Sequence, residues 1–270
     1  MSPERQMGKR KDCVCTELAL LLQKLAWKIK KRLGETLPME QIVLKQHELP
    51  YEVAEQLKTL RTNIRFCGDD KRVILITSCL SGEGKSTMSL ELTRSLAELD
   101  KRVLLIDCDL RKSILQKHVI RGKFTEGLTH FLAGQCSADD AVYQTEEDGV
   151  YLMPAGAIPP NPSELLSSDR MARLIAMSRK SYDYVIADCA PLGMVVDAAV
   201  IAPFCDGVVL VIEAGNIPYG LAQEVAQKLK NTHCPILGAV LNKVDRESKK
   251  YYKYGKYYNK RYEEYYQGDH

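Results

Sequence analysis

Lys85, Ser86 and Thr87 follow Ser81-Gly-Glu-Gly84 at the end of an apolar run, Val73 to Ile76. Residue types in this order fit one chemistry. Glycines let backbone N–H groups fold around an anion, and a helix starting at once behind them turns its positive end toward it. A lysine at this spacing reaches the β- and γ-phosphates of a nucleoside triphosphate, and the next hydroxyl ligates Mg²⁺. Ser81, Gly82, Glu83, Gly84, Lys85, Ser86 and Thr87 are therefore read as a phosphate-binding loop for ATP. The usual GxxxxGK[ST] spacing has glycine where this chain has Cys79, and a glycine-rich surface turn is the plainer alternative.

Carboxylates at two other strand ends strengthen the first reading. Asp107 and Asp109 close the run Val103 to Ile106, with Arg111 just beyond, and Asp188 closes Tyr184 to Ala187. The C-terminal ends of strands are where open α/β sheets bind ligands. Three carboxylates beside a polyphosphate repel one another and it, so a cation is implied. Mg²⁺ is the expected one, with Ser86 and Asp188 as its ligands. Asn242, ending the run Ile236 to Leu241, is placed to hydrogen-bond the base, although asparagine after a strand is also an ordinary turn residue.

These residues need a scaffold that brings the ends of distant strands together. Further apolar runs at Val150 to Met153 and Val208 to Ile212 alternate with helical spacing at Met88 to Leu99 and Tyr219 to Asn231. The alternation predicts an α/β fold, a parallel β-sheet of the P-loop NTPase type with helices on both faces. The stiff, proline-rich stretch Pro154 to Pro162 is expected to border the cleft. With 270 residues, 45% hydrophobic and 27% charged, the chain can bury one substantial core. Nine cysteines without a CxxC pair suggest reduced thiols in a cytosol. With five scattered histidines, no transition-metal site is expected. A net charge of +3 is too small to argue for nucleic acid, and none is expected as a partner.

Three divisions follow. Residues 1–47 form a basic extension in which Leu18, Leu22, Leu25, Ile29 and Leu33 recur at helical spacing among Lys24, Lys28, Lys31 and Arg32. That helix, with Trp27, suits a membrane surface or partner, or covers the core; its apolar run is too short to span a bilayer. Residues 48–245 form the nucleotide-binding domain. It opens with a helix over Tyr51 to Phe66, where Leu57, Leu60 and Ile64 share a face and Glu55, Lys58 and Arg61 lie elsewhere. Residues 246–270 carry Tyr251, Tyr252, Tyr254, Tyr257, Tyr258, Tyr262, Tyr265 and Tyr266 without aliphatic neighbours, which reads as a disordered tail of phosphoacceptors. Its seven Lys/Arg and four Asp/Glu give 7 − 4 = +3. Phosphorylating all eight tyrosines would take it to roughly −9 to −13.

Together these motifs resemble the bacterial protein-tyrosine kinases, in the cytoplasmic form that pairs with a separate transmembrane adaptor in capsule and exopolysaccharide synthesis. The likeness covers residues 48 to 266. It is carried by Ser81 to Thr87 (Walker A), Leu105 to Arg111 (the family's Walker A′), Ala187 to Pro191 (Walker B), Gly127 to Gly134, Pro154 to Leu165 and the tyrosine tail. The resemblance implies that Asp107 accepts the tyrosine proton, acting with Lys85 and Arg111, while Ser86, Asp109 and Asp188 serve Mg²⁺ directly or through water. It also implies that Glu55, Lys58 and Arg61 stand in the family's oligomerisation helix, with lysine in place of a forked arginine. Ser81 and Ala190 stand where the family carries prolines. Implied partners are the adaptor's cytosolic tail, further copies of the chain in a ring, a cognate tyrosine phosphatase and protein substrates, all at the inner face of the membrane. Autophosphorylation between subunits is the implied reaction. The alternative is a partitioning or positioning ATPase of the same superfamily. Those carry a second lysine early in the loop, where Leu80 stands here.

Overall fold

Uninterrupted apolar runs make strands that must be covered on both faces, and the sheet is built from such runs. A computed structural model describes residues 41–46 and 48–245; the expected N-terminal helix and tyrosine tail lie outside these residues. The chain runs through β1 (Val43–Leu44), α1 (Tyr51–Phe66), β2 (Val73–Ser78), α2 (Lys85–Ala97), β3 (Val103–Asp107) and β4 (Val119–Arg121). Then come α3 (Leu128–Leu132), α4 (Ala138–Ala141), β5 (Tyr143–Gln144), β6 (Val150–Met153), α5 (Pro162–Leu166) and α6 (Asp169–Ser181). β7 (Tyr184–Asp188), α7 (Asp197–Ile201), β8 (Gly207–Glu213), α8 (Tyr219–Lys230) and β9 (Ile236–Asn242) complete it.

Seven strands lie in the order β5-β6-β3-β7-β2-β8-β9, parallel except for β5 on β6. Because side chains alternate along a strand, each strand feeds two cores. Val73, Leu75, Leu104 and Ile106 point to a layer with Leu128, Met171, Leu174 and Ile201. Ile74, Ile76, Val103 and Leu105 point to the other, with Leu90, Leu92 and Leu96 of α2 and Ile64 of α1. Each fully buried Leu or Ile contributes roughly 1.5–3 kcal/mol. The expected parallel sheet with two helical layers is thus the observed one.

Residues 42–44, ahead of α1, also join the fold through distant partners. Ile42 bridges Thr145, Val43 and Leu44 pair with β4, and Leu44 is fully buried. Two residues are too short to show a strand period, so only the distant partner reveals them.

Candidate active site

β2 ends at Ser78, and the chain needs a tight loop to reverse into α2. Gly82 and Gly84 supply it with φ of +94° and +91°, a region side chains disfavour. Gly84 is the N-cap of α2 and offers no side chain, so the helix's first N–H groups are left to a ligand. A Cβ on Gly82 would meet nothing within 4 Å, so the cradle is open there. The donor set fits a polyphosphate.

Sheet register brings the carboxylates together. Asp107 and Asp188 are paired positions on neighbouring β3 and β7. Asp107, Asp109 and Asp188 are 2%, 5% and 4% exposed. Lys85 lies among them, its Nζ 3.1 Å from Asp109 and 3.4 Å from Asp188, and it donates to Ser86 Oγ at 3.0 Å. Burial works against the Lys85 charge, but Asp188 and Asp109 outweigh it and raise the ammonium above its ordinary range. Burial first, then the charge of Asp188, pushes Asp107 up to about 7; Asp188 is also raised by burial, against the pull of Lys85. Among the described residues no three His, Cys, Asp or Glu side chains converge to chelate a metal directly. Mg²⁺ would therefore rest on Ser86 Oγ, Asp109, Asp188, phosphate oxygens and water, a hard-oxygen set that suits it.

Several expected site residues have partners within the fold. The Glu83 side chain is buried; it accepts from the Leu80 N–H and, at 2.9 Å, from the Glu213 N–H, so it braces the loop. Asn242, expected at the base, donates to the Glu83 carbonyl at 2.8 Å. Arg111 is engaged by Asp197: its Nε is 2.7 Å from that carboxylate, and it also donates to Ser163. Asp197 is fully buried; that burial is outweighed by the Arg111 and Ser163 hydrogen bonds, which hold its carboxyl below the usual range. Glu55 and Lys58 pair at 2.7 Å on the surface, whereas Arg61 reaches Ser95 O at 2.5 Å and Glu98 at 2.7 Å. Ser81 and Thr87 are exposed at the loop.

Three contributors escaped the sequence reading. Ser113 donates to Asp107 Oδ2 at 2.5 Å, and Ser89 donates to Asp188 at 3.3 Å. Lys243, at a φ of +54°, donates to the Gly82 carbonyl at 2.8 Å and pairs with Glu213 at 3.1 Å. Ser89 sits one helical turn from Lys85, a spacing that could have flagged it; the others have no local signal.

The family model for an AAA domain matches residues 71–233. The chain is 37% identical over 203 residues to Tyrosine-protein kinase CpsD of Streptococcus agalactiae, covering 75% of this chain and 89% of that one. The kinase domain of Escherichia coli tyrosine kinase ETK superposes with a TM-score of 0.67 at 29% identity, over 76% of this chain and 84% of that one. The septum site-determining protein MinD from Pyrococcus horikoshii OT3, complexed with Mg-ADP, gives a TM-score of 0.56 at 27% identity, over 66% and 72% of the two chains.

Proposed function

The chain belongs to the family of bacterial tyrosine kinases, and from that premise we propose that it transfers the γ-phosphate of ATP to tyrosine hydroxyls, including those of its own residues 251–266. The observation that carries the reading is Lys85 lying between Asp109 and Asp188, with Asp107 beside them at the mouth of an open glycine cradle. Mg²⁺ would be held by Ser86, Asp109 and Asp188 and would neutralise phosphate charge.

The protein's own groups do the remainder. Backbone N–H groups at Gly82 and Gly84, with the start of α2 behind them, bind the phosphates. Lys85 would bind the β- and γ-oxygens, and Asp109 and Asp188, its present partners, would then serve the cation. Asp107 takes the phenol proton, and its raised affinity for a proton, near neutrality, suits a general base. Because the family's cytoplasmic members work with an adaptor, the chain acts at the inner face of the membrane, bound to the cytosolic tail of a transmembrane partner in capsule or exopolysaccharide synthesis. Copies associate through the exposed Glu55–Lys58 pair and offer basic tails to one another's acidic clefts; a cognate phosphatase resets them. Among the described residues no helix is long and apolar enough to cross a membrane.

The test is incubation of the purified full chain with radiolabelled ATP and Mg²⁺, followed by mapping of phosphotyrosine. Lys85→Met should lose both nucleotide binding and transfer, the latter by about 100-fold or more. Asp107→Asn should keep most nucleotide affinity and lose transfer by about 100- to 10,000-fold, as expected when a base is removed. A Lys85→Met chain should still be labelled on its tail by an intact copy. ATP hydrolysis without any labelled tyrosine would return the reading to a MinD-like ATPase.

A further inference from the structure

The helix α2 buries a row of polar residues. Lys85, Ser89 and Thr93 recur every four positions, so they share one face, and Ser89 and Thr93 are fully buried. Leu90, Leu92 and Leu96 supply the apolar remainder of the helix's contact with the core. Thr93 has an ordinary explanation: its Oγ1 donates at 2.8 Å to the Ser89 carbonyl one turn back, as helical hydroxyls do. Ser89 Oγ donates in the same way to the Lys85 carbonyl at 2.9 Å, but a second acceptor, Asp188 Oδ1, lies 3.3 Å away.

A hydroxyl carries one proton, so the two acceptors compete for it. In the unliganded site Asp188 Oδ1 also receives the Lys85 ammonium at 3.4 Å, and the nearer helix carbonyl is the better partner for Ser89. Once Lys85 binds phosphate oxygens, Oδ1 loses that donor in a place where Asp188 is only 4% exposed. A buried carboxylate oxygen without a donor is costly. Rotation of the Ser89 hydroxyl supplies one, and the Lys85 carbonyl keeps the backbone N–H that every helix provides four residues on.

The rest of Asp188 is fixed beforehand. Its carbonyl accepts from the Cys108 N–H at 2.8 Å, and the Cys189 N–H donates to the Ile76 carbonyl at 2.9 Å. Thr77 Oγ1, fully buried, donates to the Ala190 carbonyl at 2.9 Å. With the backbone pinned on β3 and β2, the turn of the Asp188 carboxylate is the freedom that remains, and Ser89 acts on that.

We propose that Ser89 is a positioning residue for the cation: its hydroxyl takes over Asp188 Oδ1 from Lys85 and keeps the carboxylate turned for Mg²⁺. This rests on the nucleotide-binding part of the kinase reading. Ser89 touches neither nucleotide nor metal in this role; it works through Asp188, as the outer partners of metal ligands do.

The experiment titrates the full chain with a fluorescent ADP analogue, in EDTA and at rising Mg²⁺, so that no turnover is needed. Ser89→Ala should raise the Mg²⁺ concentration that gives half the gain in ADP affinity by about 10-fold, and leave affinity in EDTA as in the wild type. Thr93→Val, which removes a back bond of the same kind with no carboxylate on it, should leave the Mg²⁺ response unchanged. Should Ser89→Ala unfold at lower urea than the wild type, Ser89→Cys, similar in size and a weak donor, should still shift the Mg²⁺ response, by less. An unmoved Mg²⁺ response in both Ser89 variants would overturn the proposal and leave Ser89 as a back-bonded helix residue. An equal shift in Thr93→Val, or an equal loss in EDTA, would also overturn it, because the helix or the loop would then be responsible. A wild type whose ADP affinity ignores Mg²⁺ would overturn both this role and the nucleotide site. A normal Mg²⁺ response without phosphotyrosine would remove the kinase reading alone.

Discussion

Lys243 donates from its Nζ to the Gly82 carbonyl at 2.8 Å, tying the end of the last described strand to the middle of the phosphate loop. The same lysine pairs with Glu213, whose own N–H is held by the side chain of Glu83. Loop, β8 and the segment after β9 are thereby one hydrogen-bonded unit, and the tyrosine-rich segment begins three residues further on. Lys243→Met should weaken nucleotide binding by about three- to ten-fold, the effect of losing a half-exposed charged hydrogen bond, without touching a phosphate. Titration with a fluorescent ATP analogue checks this; an unchanged affinity would mean that Glu83 and Asn242 alone shape the loop.

A pH dependence of stability follows from the buried carboxylates. Asp107 in the unliganded fold is pushed up to about 7, first by burial and then by Asp188, against an ordinary value of 3.8. Between these values the folded chain holds a proton that the unfolded chain has lost, so stability falls as pH rises through this window and levels above it. Asp188 is raised as well and acts with the same sign. The raised Lys85 ammonium stays charged in both states throughout, so it adds no slope. Urea midpoints measured without nucleotide or Mg²⁺ should drop from about pH 4 to about pH 7, and Asp107→Asn should make the drop shallower. A wild-type midpoint that climbs over this range would contradict the arrangement.

Arg61 and Lys58 should separate by what each variant loses. Arg61 is 14% exposed at its side chain and joins α1 to α2 through Ser95 and Glu98, so Arg61→Ala should cost about 1–3 kcal/mol of stability. The exposed Lys58 should be replaceable by alanine with no change in the unfolding midpoint. If the Glu55–Lys58 edge contacts another copy, Lys58→Ala should nevertheless reduce the assembled mass seen by light scattering. An unaltered mass at concentrations where the wild type assembles would remove Lys58 from the interface.

The sequence by itself determined which strands exist and which residues close them. Runs such as Val73 to Ile76 and Tyr184 to Ala187 are apolar throughout, which only a sheet covered on both faces accommodates, and the loop glycines, Lys85 and the three aspartates follow locally from those runs. The Tyr51–Phe66 helix was legible for the same reason: its buried Leu57 and Ile64 recur at helical spacing, and Pro50 precedes its first turn. Tertiary structure alone decided the partners. Asp107 meets Asp188 because β3 and β7 are neighbours in register; Arg111 meets Asp197, and Lys243 meets Gly82, across 86 and 161 residues. Such pairings leave no periodic trace in the chain, since a side chain's partner depends on which strand ends are brought side by side. Glu83 marks the boundary: its place in the glycine loop is legible in the sequence, whereas the Leu80 and Glu213 N–H groups that its buried carboxylate accepts are found only in the fold.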